Sequence, residues 1–255
     1  MVSFTKEIHA IVNVYSILVG VGASLAILRV VQSVPRWQAS RWANASLLVL
    51  LGSVIGARLA YVFLQWGYFK THLLEIVVLW SGGLSWFGAA LGALAMVFVI
   101  AARWHTTLFK IADGLAPMIP PMVISSWLGC WLIGAAYGPT APPGAFWAVP
   151  SQDEFGVVAP RFPLQIIAAV SMLVYAFILD IRKPRFDRDG KKASWMLLGL
   201  GLNLAIFMPL RADPAPMLFG MKFNTWAGII FLLFSGVLLL WVLYSSREKN
   251  RTENE

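Results

Sequence analysis

From residue 44 to residue 65 the chain runs through 22 residues with one charged side chain, Arg58. At 1.5 Å of rise per residue a helix of that length measures roughly 33 Å, enough to cross the hydrocarbon of a bilayer. Similar runs occupy residues 10–32, 84–102, 111–137, 163–180, 194–210 and 224–245. Seven such segments leave only short connections, so the sequence predicts an all-α polytopic integral membrane protein with seven transmembrane helices. Composition agrees: 13% of residues are charged, against roughly 25% in soluble domains, and mean hydropathy is +0.73. The expectation is a single transmembrane domain over residues 1–246 and a charged cytoplasmic tail over 247–255, SSREKNRTENE being disordered at its end.

A formal net charge of +8 reports on orientation in a polytopic chain before it reports on nucleic acid, which is set aside as a partner. Thirteen basic residues fall in the connections after the first, third, fifth and last runs, among them Arg36, Arg41, Arg103, Lys110, Arg182 and Lys183. Five (Lys6, Lys70, Arg161, Arg211 and Lys222) fall on the other side. The inside-positive bias therefore puts the amino terminus outside and the carboxyl terminus in the cytoplasm, as an odd number of spans requires. The first run lacks a basic flank and a small-residue cleavage site and is expected to be a retained span. Cys130 is the lone cysteine, and His9, His72 and His105 have no ligand at helical spacing, so neither a disulfide nor a metal nor a cofactor is expected.

Three segments break the regular pattern. LLEIVVLWSGGLSWFG (73–88) is apolar but interrupted by Gly82 and Gly83, and is expected to be a short interfacial or re-entrant helix before the third span. Pro117, Pro120 and Pro121 should kink the fourth span. Residues 139–162, with five prolines, should form a non-helical extracytoplasmic loop. Trp37, Trp42, Trp66, Trp80, Trp104, Trp147, Trp195 and Trp226 near span ends suit interfacial anchoring.

An ionised side chain in hydrocarbon costs about 2.5–3.5 kcal/mol on insertion scales, which makes Arg58 the leading candidate for function. Its guanidinium suits a lipid phosphate near the outer leaflet, and equally suits backbone carbonyls freed by broken helices. Gly56, Ala57 and Ala60 around it permit close helix approach. Asp113 is expected to cap a helix start, Asn203 to bond a neighbouring helix, and Cys130 to be a small buried residue rather than a nucleophile. Tyr15 and Tyr61 face either a polar interior or an interface. No Ser, His and Asp arrangement, phosphate-cradling glycine loop or paired carboxylate site is present in the pattern.

The order of GARLAYVF (56–63), LLEIVVLWSGGLSWFGAALGAL (73–94), ADGLAPMIP (112–120), SWLGCWLIGAAYG (126–138), RFPLQ (161–165) and RKPR (182–185) resembles the prolipoprotein diacylglyceryl transferases. That resemblance covers nearly the whole chain. It implies a seven-span enzyme of the bacterial cytoplasmic (inner) membrane that moves diacylglycerol from phosphatidylglycerol to the lipobox cysteine of a preprotein. The reaction needs donors for the leaving glycerol phosphate and a base for the thiol. In the family the segment after GG reads approximately GGMSFHGG; Gly83 and Ser85 match, and Phe87 stands at the histidine. The pattern GRIGNFxNGExxG aligns to 126–138 with Gly129, Gly134 and Gly138 kept, while Trp127, Cys130, Ile133 and Ala135 replace its arginine, two asparagines and glutamate. RHPSQLYE keeps Arg161, Pro163 and Gln165 but has Phe162 and Ala168 for its histidine and last glutamate. Leu204 and Met208 fall where the sixth span carries an arginine and a glutamate, and VYSILVG places Tyr15 at the family's early tyrosine.

The resemblance thus implies a retained framework without an intact catalytic set. The remaining lipid-binding candidates are Arg58, Tyr15, Gly83, Ser85, Gly138, Arg161 and Gln165. Three readings follow. The first is a pseudoenzyme of the lipoprotein-biosynthesis family that binds phosphatidylglycerol or another phospholipid, or a lipoprotein or membrane-protein partner, with transfer lost or strongly reduced. The second is an active transferase with a relocated site, and the third a structural subunit of a membrane complex.

Overall fold

Glycine, proline and polar breaks between the apolar runs set the helix boundaries in the computed structural model of the chain, which describes residues 2–78, 82–182 and 189–252. The helices are α1 Val2–Gln32, α2 Ala39–Leu64, α3 Trp66–Phe69, α4 Trp86–Arg103, α5 Leu108–Leu115, α6 Ile119–Leu132, α7 Leu164–Arg182, α8 Lys191–Phe207 and α9 Phe223–Thr252. Trp80 and the Lys183, Arg185 and Arg188 of the basic connection lie outside the described residues.

Six segments among the described residues are long and apolar enough to cross a membrane: Val14–Gln32, Arg36–Leu64, Trp86–Arg103, Leu108–Leu132, Leu164–Arg182 and Phe223–Ser245. The expected span over 194–210 corresponds to α8, which has 17 residues and reaches only to Phe207. Met208 keeps helical dihedrals as the C-cap, and Pro209 after it has no amide hydrogen with which to continue the ladder. The chain is an all-α membrane protein whose connections carry two short hairpins. Strand β1 Val149–Gln152 pairs antiparallel with β2 Val158–Arg161, and β3 Met217–Leu218 with β4 Met221–Lys222. The second turns through Phe219 and Gly220, both at positive φ, the geometry whose twist matches a two-residue hairpin.

Other expectations are adjusted locally. The segment from residue 73 forms one 3-10 stretch, Leu73–Val77, rather than a longer helix, and Gly82 and Gly83 adopt φ of +81° and +71°. The proline-rich run breaks into α5, a 3-10 turn at Ala116–Met118, and α6. Asp113 lies inside α5, and the oxygen that accepts an amide at the start of that helix, Lys110 N at 3.3 Å, is Thr107 Oγ1. Trp42 is no free anchor: it is buried, with its ring edge on Trp104 at 5.2 Å. The backbone of α9 continues to Thr252, where a disordered tail was expected.

The described residues group into two units. In the unit from Ile27 to Leu115, α2 packs along α4 through facing glycines. Gly52 and Gly56 on α2, and Gly88 and Gly92 on α4, have the four-residue spacing that lets backbones touch. A Cβ built on Gly88 would lie 2.3 Å from the Gly56 carbonyl oxygen, one on Gly56 2.4 Å from that of Gly88, and one on Gly92 2.1 Å from that of Gly52. The other face of α2 exposes Leu47, Leu51, Ile55, Leu59 and Phe63. An apolar stripe of that length is costly in water and at home in lipid.

In the unit made of residues 1–26 and 116–255, α6, α7 and α8 pack together and α9 packs on α8. The Tyr15 ring lies over Gly129, the Tyr175 ring over Gly199, and Gly201 abuts Leu232 and Ser235. Small residues again set the helix spacing, but here the space is filled from the opposite helix by side chains.

Candidate functional site

The sequence candidates divide between the two units, and each group has its own geometry. In the unit from residue 27 to 115, Arg58 projects from α2 and is 5% exposed. Its Nε donates to Ile76 O at 2.9 Å, Nη2 to Glu75 O at 2.6 Å, and Nη1 to Gly82 O at 2.7 Å and Gly83 O at 3.2 Å. Glu75 O also accepts the Val78 amide at 3.1 Å, and a guanidinium, with five N–H groups on a planar fork, can meet it and the carbonyls of Ile76, Gly82 and Gly83 at once. The guanidinium also sits by the rings of Tyr61 and Phe69, 5.8 and 5.3 Å from their centroids. Gly83 is required here twice over: its φ is positive, and a Cβ would lie 2.4 Å from the Tyr61 ring and 2.9 Å from Arg58 Nη1.

Ser85 stands beside this cluster. Its amide donates to Ala57 O at 3.1 Å, and its Oγ accepts from Gly88 N at 3.4 Å as the N-cap of α4. Phe87, where the resemblance expects a histidine, is 36% exposed with its ring edge-on to Trp86. The carboxylate of Glu75 does not pair with Arg58; it accepts the Tyr68 hydroxyl at 2.8 Å, which raises the Tyr68 phenol pKa.

In the other unit several positions that the resemblance reads as replaced lie close together. Trp127, where the resemblance expects an arginine, is 5% exposed and donates its indole N–H to Asn203 Oδ1 at 2.9 Å. Asn203 Nδ2 donates in turn to Ala168 O at 2.8 Å and Ser171 Oγ at 2.9 Å, so one amide joins α6, α7 and α8 as expected for that residue. Phe207 closes the group from α8 with its centroid 6.3 Å from that of Trp127. Leu204 and Met208 are buried, and Cys130 is half-buried on α6 beside the Gly129 on which Tyr15 rests.

The polar residues that the resemblance reads as retained form a second group in the same unit. Gln165, fully buried in the first turn of α7, donates from Nε2 to Ala135 O at 3.0 Å, and its Oε1 has no partner. Arg161 at the end of β2 is 8% exposed, pairs through Nη2 with Asp153 Oδ2 at 3.1 Å, and lies 4.4 Å from the Tyr137 ring centroid, leaving Nε unpaired. Ser151 Oγ on β1 is likewise buried and unpartnered. Buried polar atoms are normally satisfied by protein, water or ligand, so Arg161 Nε, Ser151 Oγ and Gln165 Oε1, open at the hairpin and the start of α7, are the candidates here for contact with water or a ligand. Gly138 abuts Phe162: a Cβ there would fall 2.4 Å from its carbonyl oxygen.

The sequence reading missed three members of this group: Tyr137, Asp153 and Glu154. Tyr137 donates to Glu154 Oε2 at 2.5 Å, and this bond, reinforced by burial, pushes the phenol pKa up to about 12. The signal was present as adjacent acids in SQDEFG, the only acidic pair in a proline-rich loop that also ends on an arginine. Beyond them Arg211 pairs with Asp213, Lys222 Nζ caps the carbonyls of both at 2.6 and 2.7 Å, and Ala212 N donates to Tyr137 O at 2.8 Å.

These features can be set against known proteins. Residues 4–241 match the family described as prolipoprotein diacylglyceryl transferase. The chain is 30% identical over 200 residues to the phosphatidylglycerol-prolipoprotein diacylglyceryl transferase of Paracidovorax citrulli, an alignment that covers 76% of this chain and 73% of that one. The protein of the same description from Bordetella avium is 30% identical over 210 residues, covering 79% and 76%. That from Polynucleobacter asymbioticus is 33% identical over 178 residues, 66% of each chain. A family match over nearly the whole length, with relatives at about 30% identity, leads to one conclusion: the chain belongs to the prolipoprotein diacylglyceryl transferase family.

Proposed function

We propose that this chain is a phospholipid-binding member of its family in which diacylglyceryl transfer is lost or strongly reduced. Its relatives are named for phosphatidylglycerol and prolipoprotein, and phosphatidylglycerol or a similar phospholipid is the proposed ligand here, with a lipoprotein or other membrane protein as a further partner. The proposal places the chain in the bacterial inner membrane with seven spans, α8 being the short sixth, the amino terminus outside and the carboxyl terminus in the cytoplasm.

The observation that supports this reading is the contrast between open polar atoms and committed or apolar side chains at the positions that the resemblance singles out. Arg161 Nε and Gln165 Oε1 are buried and open, a donor and an acceptor suited to a phosphate oxygen and a glycerol hydroxyl. Trp127 offers one N–H and that is already committed to Asn203, while Phe87 and Ala135 offer no side-chain donor or base. Arg58 keeps one N–H and its charge for a headgroup after serving four carbonyl bonds. In the unit from residue 27 to 115 Gly83 and Ser85 lie beside Arg58, and in the other unit Tyr15 and Gly138 are proposed as lipid contacts.

Purified full-length protein in phosphatidylglycerol vesicles with a lipobox peptide tests this. Loss of one oxyanion-type donor costs about 100- to 1,000-fold in rate, so lipidated peptide should form at least about 1,000-fold more slowly than with an active relative. Phosphatidylglycerol should still copurify, and less of it with Arg161→Gln. Growth of bacteria depleted of their own transferase on this chain alone overturns the proposal. A relocated active site is favoured by one observation, the Glu154 carboxylate held on Tyr137 in the same group as Arg161. Under that reading peptide lipidation is measurable and Glu154→Gln abolishes it.

A further inference from the structure

At the other end of the α2–α4 pair from Arg58 lies a cavity of about 270 Å³ lined by Gln38, Arg41, Trp42, Trp104, His105, Thr106, Lys110 and Ile111. The geometry points to a binding site for a phosphate-bearing anion there, with the headgroup of an anionic phospholipid as its natural source. Arg41 and Arg58 are 17 residues apart on one helix, roughly 25 Å along its axis, so the two cations stand near opposite faces of a hydrocarbon layer of about 30 Å. On the orientation proposed above the cavity opens to the cytoplasmic side, where basic pockets beside membrane helices meet anionic headgroups.

Three observations argue for an occupant. The first is unbalanced charge. Glu75 and Asp113 are the acids between residues 27 and 115, Glu75 belongs to the Arg58 end, and neither Arg41 nor Lys110 has a carboxylate partner among the described residues. The second is preorganisation: Arg41 is stacked on the Trp104 ring with its Cζ 3.8 Å from the centroid. Trp104 is itself held edge-on by Trp42, whose Nε1 donates to Gln38 Oε1 at 3.1 Å. A stacked guanidinium has lost the freedom it would otherwise lose on binding and still presents its edge N–H groups.

The third is the backbone at His105. Helix α4 ends in a Schellman motif: Thr106 N donates to Ala101 O at 3.1 Å and His105 N to Ala102 O at 3.2 Å. The residue at its turning point has φ of +48°, where glycine is the ordinary choice, yet a histidine stands there and lines the cavity. Its ring supplies an N–H in either tautomer. A left-handed side-chain residue beside two unpaired cations is strain placed where a ligand contact can use it.

The test uses detergent-purified full-length protein, stripped of lipid and then offered phosphatidylglycerol or phosphatidylcholine, with retained lipid counted by native mass spectrometry; a parallel arm adds inorganic phosphate as competitor. Phosphatidylglycerol should be retained over phosphatidylcholine. Arg41→Gln with Lys110→Gln should weaken that retention by about 25-fold, the product of about fivefold for each surface cation. Arg36→Gln, outside the cavity, should change it less than about twofold. His105→Gly separates binding from folding, because it should weaken retention while leaving the thermal midpoint equal or raised. Competition by inorganic phosphate at matched concentration assigns the site to a free phosphate ester; no competition assigns it to the lipid. Equal retention by the Arg41 and Lys110 double variant and the parent, or by the two lipids, overturns the site. Arg161→Gln, which tests the functional proposal, should lower the total count of retained lipid while leaving the part that depends on Arg41 and Lys110 unchanged.

Discussion

The α2–α4 pair and the α6–α7–α8 group solve the same problem by opposite means. Lipid supplies no hydrophobic push between helices, so close packing and internal hydrogen bonds must hold them together. Between α2 and α4 the answer is to remove side chains: Gly52 and Gly56 meet Gly88 and Gly92 backbone to backbone. Among α6, α7 and α8 it is to insert one polar side chain, Asn203, whose amide bonds Trp127, Ala168 and Ser171. The difference teaches where tolerance lies. A glycine seam fails on addition of any atom, while an amide network fails on removal of a donor.

The largest effect is therefore expected at the seam. Gly88→Val puts carbon 2.3 Å from the Gly56 carbonyl oxygen and 2.4 Å from Ala60 Cβ, so the helices must part, at a cost of about 3 kcal/mol or more. A thermal-unfolding measurement should find little folded protein. Gly236→Ala is the control, since a Cβ there meets nothing within 4 Å and should be neutral or raise the midpoint through helix propensity, by at most about 1 kcal/mol. Equal tolerance at both positions breaks the comparison.

Next in size is Arg58, whose removal attacks the seam's end rather than its length. Arg58→Met strips donors from the carbonyls of Glu75, Ile76, Gly82 and Gly83. Each net bond to a charged group is worth about 1.5–3 kcal/mol, but water can reach part of an opened loop, so a loss of about 3 kcal/mol is expected. Hydrogen exchange should rise in residues 73–78 before it rises in α2. Arg58→Lys should recover less than half, because an ammonium cannot span the carbonyls that a planar fork reaches.

How legible this was in the sequence follows the same division. Apolar length fixed the spans well because bilayer thickness acts on every residue of a run, and α8 came up short only where Pro209 ended it. Asn203 could be read as an interhelical bond, since a lone amide in GLGLNLAIF has few other uses. The facing GSVIG and GAALG glycines could be read as small but not as partners, because pairing two segments more than thirty residues apart requires knowing which helices touch. Arg58 was placed in the membrane correctly with two uses left open, and the carbonyls that hold it depend on a loop geometry set by Gly82 and Gly83. Tyr137, Asp153 and Glu154 were missed because a proline-rich loop gives no period from which a hairpin register can be read.

Asn203→Leu sharpens the comparison from the network side. Intramembrane hydrogen bonds average about 0.6 kcal/mol each, so losing three should cost about 2 kcal/mol, less than one methyl-bearing side chain at Gly88. Trp127→Phe removes one of the same three bonds, and the double variant should cost less than the sum of the singles, a coupling that helices packed independently do not show. Additive losses would mean that Trp127 packs by its ring alone.

The smallest effect belongs outside the helices, at the Tyr137 phenol on Glu154. The bond raises the phenol from its ordinary value near 10 to about 12, so the folded state holds the proton more tightly than the unfolded chain does. The sign follows: this contribution is fully present below about pH 10 and is lost as pH rises toward about 12. Tyr137→Phe should lower the thermal midpoint by a constant amount from pH 7 to about pH 10, and the gap to the parent should then narrow. Asn203→Leu contains no titrating group, so its gap should stay level over the same range. If the Tyr137→Phe gap also stays level, the phenol is not held by the carboxylate. The hairpin's attachment would then rest on Arg161 with Asp153, and on Gly138 against the Phe162 backbone.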